Sequence, residues 1–264
     1  MPTPFIALLT DFGLHDWYVG VMKGVVLSIN PQATVIDISH HVPRHDVVAA
    51  SFALLASYRY QPVGTIVVAV VDPGVGTQRR IICARAGDRF FLAPDNGVLT
   101  GVLTREPPFE MVCVENEQYF LGPVSTTFHG RDIFAPVAAH LSLGVPLERL
   151  GTKMEAFHRK EVAEPRVGER EAEGVVVWVD GFGNLITNLT DTLVRELSGL
   201  WGHTLVRIGK GRPFGIASNY ESVESGALLG IIGSSGYLEI SVREGNAAQV
   251  LGVGIGERIN LLAA

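Results

Sequence analysis

The stretch T-I-V-V-A-V-V from Thr65 to Val71 is apolar almost without interruption and stops at Asp72. A run so short, rich in β-branched residues and lacking polar alternation, predicts a strand covered on both faces, as in a sheet flanked by helices. Pro73, Gly74 and Gly76 then let the chain turn sharply, and Arg79 and Arg80 follow. A carboxylate at the tip of a buried strand, with cations a short loop away, is how open α/β sheets present a reactive site to a crevice. On these residues alone, the alternative is that Asp72 caps its own loop while both arginines sit in solvent.

The chain around this run fits such a sheet. Phe5 to Leu9 reads as a first parallel strand that ends in a second acidic tip, Thr10-Asp11-Phe12-Gly13. Tyr18, Val21, Met22, Val25, Val26 and Ile29 recur at helical spacing behind Asp16, a candidate cap. A strand over Thr34 to Ile38 and a buried helix over Val47 to Tyr58 complete a β-α-β-α-β opening. Strands over Arg80 to Ala86 and Arg89 to Leu92 meet at a tight turn, Gly87-Asp88, and Phe109 to Val114 adds another. Asp132 is placed to cap a helix carrying Ile133, Phe134, Val137 and Leu141. Apolar periodicity then lapses, and beyond the lapse short β runs at 175–179, 204–208, 228–232, 237–242 and 249–252 alternate with glycine turns. The expected architecture is an α/β domain over 1–150, with a mixed, mostly parallel sheet and flanking helices. A linker over 151–173 and a smaller all-β domain over 174–264, an antiparallel barrel or sandwich, follow.

Composition narrows the function. With 264 residues, 47% hydrophobic and 18% charged, the chain can bury a substantial core, and a net charge of −6 without any basic stripe excludes nucleic acid as a bulk partner. No segment is long and apolar enough to span a bilayer, and Cys83 and Cys113 sit inside apolar stretches that suit a reducing cytoplasm. His40, His41 and His45 match no metal-ligand spacing, so no metal is expected. Gly74-Val75-Gly76 lacks both the Lys-Ser/Thr of a P-loop and the third glycine of a dinucleotide fingerprint. His129 stands just before a predicted helix start, where backbone N–H groups gather, and Asp180-Gly181-Phe182-Gly183-Asn184 joins a carboxylate, an aromatic ring and an amide suited to a nucleoside.

Taken together, L-L-T-D-F-G at Leu8 to Gly13, D-P-G-V-G-T at Asp72 to Thr77 with Arg79, F-H-G-R-D at Phe128 to Asp132, D-G-F-G-N at Asp180 to Asn184 and G-S-S-G-Y-L at Gly233 to Leu238 resemble the S-adenosyl-L-methionine hydroxide adenosyltransferase family. That family comprises the hydrolase relatives of fluorinating and chlorinating enzymes. The resemblance implies hydrolysis of S-adenosyl-L-methionine to adenosine and L-methionine by attack of activated water at C5′, with no cofactor. It implies a homotrimer with active sites at subunit interfaces. By motif, the water-activating set falls on Asp72, Arg79 and His129. Substrate contacts fall on Asp11 for the ribose, Phe128 for the adenine, and Asp180, Phe182 and Asn184 for the methionine portion or nearby sugar. Ser234 and Ser235 would meet the methionine carboxylate, and Tyr220 and Ala247 adenosine. Halogenating relatives keep a tyrosine where this chain has Asp72 and lack a counterpart of His129, which favours water as nucleophile. A halide-dependent adenosyl transferase and a non-catalytic binder of the same ligand are the alternatives.

Overall fold

The computed structural model describes residues 4–160 and 164–264. The chain divides into two compact units, Met1–Glu161 and Val162–Ala264.

In the first unit the elements run β1 (Phe5–Thr10), α1 (Tyr18–Ile29), β2 (Thr34–Ser39), α2 (Val47–Ser57), β3 (Ile66–Val70), β4 (Ile81–Ala86), β5 (Arg89–Pro94), α3 (Thr100–Arg105), β6 (Phe109–Cys113) and α4 (Ala135–Ser142). The strands form one sheet in the order β2-β1-β3-β5-β4-β6. Strand β1 pairs in parallel with β2 and β3, and β3 with β5. The β4–β5 hairpin turns at Gly87, whose φ of 55° suits glycine, and this short connection makes β4 antiparallel to β5, while β6 returns after α3 to pair antiparallel with the other edge of β4. Every residue of β3 is buried, as its unbroken apolar run requires. Ile66, Val68 and Val70 pack on one face with Met22 and Val26 of α1 and Val137 and Leu141 of α4. Val67 and Ala69 alternate to the other face and are equally buried.

Local expectations divide. Asp46 does cap α2, its carboxylate accepting a 2.9 Å hydrogen bond from the Ala49 N–H. Asp16 does not cap α1, because the flanking residue is Trp17, with no side-chain cap. Nor does Asp132 cap α4: a wide π turn over Gly130–Phe134 precedes that helix, and Asp132 is fully buried within it. The first part of the expected linker pairs with the sheet, Cys113 N–H donating to Thr152 O and Met154 N–H to Met111 O, each at 2.8 Å. Residues 161–163 of that linker lie outside the described residues.

The second unit runs β7 (Arg166–Val167), β8 (Glu171–Val179), β9 (Leu185–Thr190), α5 (Asp191–Trp201), β10 (Thr204–Ile208), β11 (Phe214–Ala217), β12 (Leu228–Ile232), β13 (Tyr237–Val242), α6 (Ala247–Leu251) and β14 (Arg258–Ala263). The order is β14-β10-β11-β12-β13-β9-β8-β7, and pairing of β14 with β8 closes seven of these strands into a barrel, with β7 appended outside the ring. Neighbours are antiparallel except β11 and β12. Leu238, Ile240 and Val242 of β13 point into the barrel against Val176, Leu189, Val206 and Leu261. The barrel agrees with the expected β architecture, but two helices interrupt it. The run 249–252, expected as a strand, belongs to α6, which Asn246 caps by accepting from Gln249 N–H and Gly252 ends in the left-handed region. Helix α5 buries only Val194 and Leu197, so its apolar stripe is thin, and Thr190 fixes its start by accepting from Leu193 N–H. Among the described residues no helix is long and apolar enough to cross a membrane.

Phe134 closes the π turn and lies fully buried in the core of the first unit. Phe134→Ala is expected to lower stability by about 3–5 kcal/mol, read as a lower urea midpoint with an unchanged slope.

Candidate active site

Because β1 and β3 are parallel neighbours with Thr10 in register with Val70, the residues that follow them emerge at the same edge of the sheet. Asp11 directly follows β1 and Asp72 stands two residues beyond β3, and both line one cavity of about 440 Å³ together with Tyr18, His45, Phe128 and His129. The position matches the rule that ligands bind beyond the carboxyl ends of parallel strands.

Arg79 ties the site together. Its Nε donates to both Asp72 carboxylate oxygens at 2.9 Å, and its Nη2 donates to Asp72 Oδ2 at 2.5 Å and to His129 Nδ1 at 2.7 Å. Both side chains of the ion pair are nearly inaccessible to solvent, 11% for Arg79 and 5% for Asp72. A guanidinium has no acceptor, so the contact requires a lone pair on His129 Nδ1 and places the imidazole proton of the neutral ring on Nε2. Burial together with the Arg79 charge holds the His129 pKa below its ordinary 6.5, against the opposing pull of Asp72. Arg79 is not among the residues lining the cavity. It lies behind Asp72 and His129 and fixes both.

Two local features make this convergence possible. Gly76 has φ of 76°, and a Cβ there would lie 2.2 Å from Thr126 O, so only glycine lets the loop after β3 press against the segment that carries His129. That segment is anchored by Asp132, whose Oδ2 accepts from Ser125 N–H at 2.8 Å and whose Oδ1 pairs with Arg131 at 2.6 Å. Burial raises the Asp132 pKa, but Arg131 and Ser125 outweigh it and hold the group lowered and ionised.

At the first strand tip, Asp11 Oδ2 accepts from the His45 N–H at 2.9 Å. That bond supports His45 in a left-handed conformation, φ 63°, and so fixes the cavity wall at Arg44 and His45. His40, one of the three histidines without metal-ligand spacing, is buried with Nδ1 2.9 Å from Thr10 Oγ1 and Nε2 3.1 Å from Asp37 Oδ1. Three rings form the apolar side: Phe128 meets Tyr18 edge to face at 5.0 Å and Phe12 at 6.1 Å. Tyr18 was legible only as a core position of α1. It is the first residue of that helix, and its ring opens to the cavity beside Asp16.

The second unit collects the remaining candidates around two turns. Phe182, Asn184 and Tyr220 line a separate cavity of about 720 Å³. Asp180 holds its own turn, accepting from Phe182 N–H, Asn184 N–H and Asn184 Nδ2, each at 2.9 Å. The turn rests on the start of α6, where Ala247 is fully buried and Ala248 N–H donates to Gly183 O. Ser234 and Ser235 lie apart from that cavity in the β12–β13 hairpin, where Ser235 Oγ is buried without a partner.

Comparison with known proteins gives one family along the whole chain. Residues 6–151 match the model for the SAM hydroxide adenosyltransferase N-terminal domain, and residues 174–260 match that for its C-terminal domain. A protein of Thermus thermophilus named (R)-S-adenosyl-L-methionine hydrolase is 38% identical over 97% of this chain and 99% of its own. A fluorinase of Nocardia brasiliensis is 28% identical over 90% of each chain. The crystal structure of an uncharacterized conserved protein from Thermotoga maritima superposes with a TM-score of 0.91 at 41% identity, covering 97% of this chain and 99% of that one.

The tautomer argument has a measurable outcome. A magnetic-resonance titration of the His129 ring should give a midpoint below 6.5, and Arg79→Met should raise it, because the guanidinium charge is removed. Since the folded state disfavours protonated His129, its contribution to stability is present above 6.5 and is lost as pH falls from that value through the lower folded midpoint.

Proposed function

The chain belongs to the S-adenosyl-L-methionine hydroxide adenosyltransferase family, and on that premise we propose that it hydrolyses S-adenosyl-L-methionine to adenosine and L-methionine. The observation that carries this reading is the bridge from Arg79 to Asp72 and His129 at the wall of a cavity.

The sulfonium makes C5′ electrophilic, and its departure as a neutral thioether needs no proton. The demand falls on water, which must lose a proton as its oxygen bonds to C5′ and the C5′–S bond breaks. Asp72 lines the cavity and is the acceptor for that proton. His129 serves as a donor through Nε2–H, because its Nδ1 is already engaged by Arg79. Arg79 holds the carboxylate and the imidazole from behind, and its fixed positive charge favours the developing hydroxide through those two groups. An anionic nucleophile and a cationic sulfur cancel as they react, and the apolar wall of Phe12, Tyr18 and Phe128 favours that loss of charge.

In this reading Asp11 holds the ribose hydroxyls and Phe128 stacks by the adenine. Phe182, Asn184 and Tyr220 supply further contacts to the nucleoside and amino-acid portions, with Asp180 fixing the turn and the buried Ala247, expected as a contact, packed beneath it, and Ser234 and Ser235 meet the carboxylate. No cofactor takes part. We further place the protein in the cytoplasm, supported by buried, unpaired Cys83 and Cys113, and as a homotrimer with active sites at subunit interfaces. Support for the trimer comes from Trp17 and Phe182, aromatic residues 68% and 80% exposed beside the two cavities.

Incubation in water labelled with heavy oxygen should place the label at the adenosine 5′-oxygen, with no 5′-halo product when fluoride or chloride is added. Asp72→Asn should slow turnover by about 10²-fold or more while substrate still binds. Full activity in that variant removes Asp72 from its role.

A further inference from the structure

Of the three histidines grouped after β2, His40 alone is buried, at 2% exposure, and it does not line the cavity. A buried imidazole has two ring nitrogens to place. Its Nδ1 lies 2.9 Å from Thr10 Oγ1, and its Nε2 faces the Asp37 carboxylate, 3.1 Å from Oδ1. Lys23 Nζ donates to the other oxygen of Asp37 at 2.7 Å. Burial raises the Asp37 pKa, but Lys23 and His40 outweigh it and hold the group lowered and ionised. A carboxylate only accepts, so the imidazole proton belongs on Nε2, and Nδ1 is left as an acceptor for the Thr10 hydroxyl.

The same order of donors runs on to the site. Thr10 Oγ1 accepts from the Phe12 N–H at 3.3 Å, so Phe12, Thr10 and His40 form one chain oriented toward Asp37. Thr10 is fully buried, and among the described residues its hydroxyl has no other acceptor. The turn this chain encloses presents Asp11 and Phe12, and both line the cavity. The main chain adds a clasp, Gly13 N–H donating to His40 O at 2.7 Å. An apolar side chain at position 40 would avoid the cost of desolvating an imidazole, but it would leave the buried hydroxyl of Thr10 without a partner and the turn after β1 without its side-chain anchor.

We propose that His40 is a positioning residue: through Thr10 it holds the turn after β1, so that the Asp11 carboxylate is aimed at the ribose hydroxyls before the nucleoside arrives. This rests on the proposed assignment of Asp11 to the ribose. His40 touches no substrate and acts only through the turn. It is the second of two supports for Asp11, the first being the His45 N–H on Oδ2. A carboxylate fixed in advance loses less freedom on binding than one that must be ordered by the ligand.

Binding of nucleosides tests this without turnover. Adenosine carries the ribose hydroxyls and 2′,3′-dideoxyadenosine lacks them, so the ratio of their affinities reads the placement of Asp11 and not merely the integrity of the fold. Calorimetry on the wild-type protein should show adenosine binding about tenfold tighter or more. His40→Leu should cut that preference by about fivefold or more while leaving 2′,3′-dideoxyadenosine within about twofold of its wild-type affinity. Thr10→Val should do the same, and the double variant should lose no more than either alone. His40→Asn, whose Oδ1 can replace Nδ1 as the acceptor, should keep adenosine within about threefold of wild type. Equal weakening of both nucleosides in His40→Leu and Thr10→Val, or no change in either, overturns the proposal. So does a nitrogen magnetic-resonance spectrum of the wild-type protein showing His40 Nδ1 protonated above neutral pH, a result that holds even if no variant folds. Equal wild-type affinity for the two nucleosides removes the ribose assignment and overturns the proposal with it, whereas absence of adenosine release from S-adenosyl-L-methionine defeats the proposed reaction alone.

Discussion

Arg79 can only donate hydrogen bonds, and that one-sidedness sets the state of both groups it touches. Asp72 must present lone pairs, which it does as a carboxylate with both oxygens engaged, and His129 must present an unprotonated Nδ1. The cavity wall therefore offers an acceptor and a donor in fixed positions before any ligand arrives. Such preorganisation is what a reaction gains from when its nucleophile is as weak as water.

The sheet supplies the rest of the geometry. Strands β1 and β3 lie side by side, so two acids far apart in sequence open at one edge, and the hydrogen bond from His45 to Asp11 brings a third segment to the same place. Each of these contacts depends on backbone conformations that few residues tolerate, at Gly76 and at His45. The site is thus held by its loops, while buried apolar strands hold the loops' ends.

Much of this was legible in the sequence, because an unbroken β-branched run that ends in an acid announces both a buried strand and its exposed tip. Arg79 and Arg80 were harder to tell apart. They are adjacent at the start of β4, so their side chains diverge, and Arg80 turns to Asp95 at 2.9 Å. Asp132 reads as a helix cap from its spacing, whereas the π turn that buries it leaves no signature in apolar periodicity. The segment over 249–252 is too short for its pattern to separate helix from strand.

The closed ring of the second unit bears on how copies of this protein can meet. Seven of its strands pair with a neighbour on both sides, and among the described residues only the two-residue β7, which begins at Arg166 and is followed by Glu169, presents an edge. So brief and so charged a border is a poor template for cross-β recruitment. Contacts between copies through this unit are therefore left to side chains and loop surfaces, which can be specific and self-limiting where a free strand edge would invite indefinite growth.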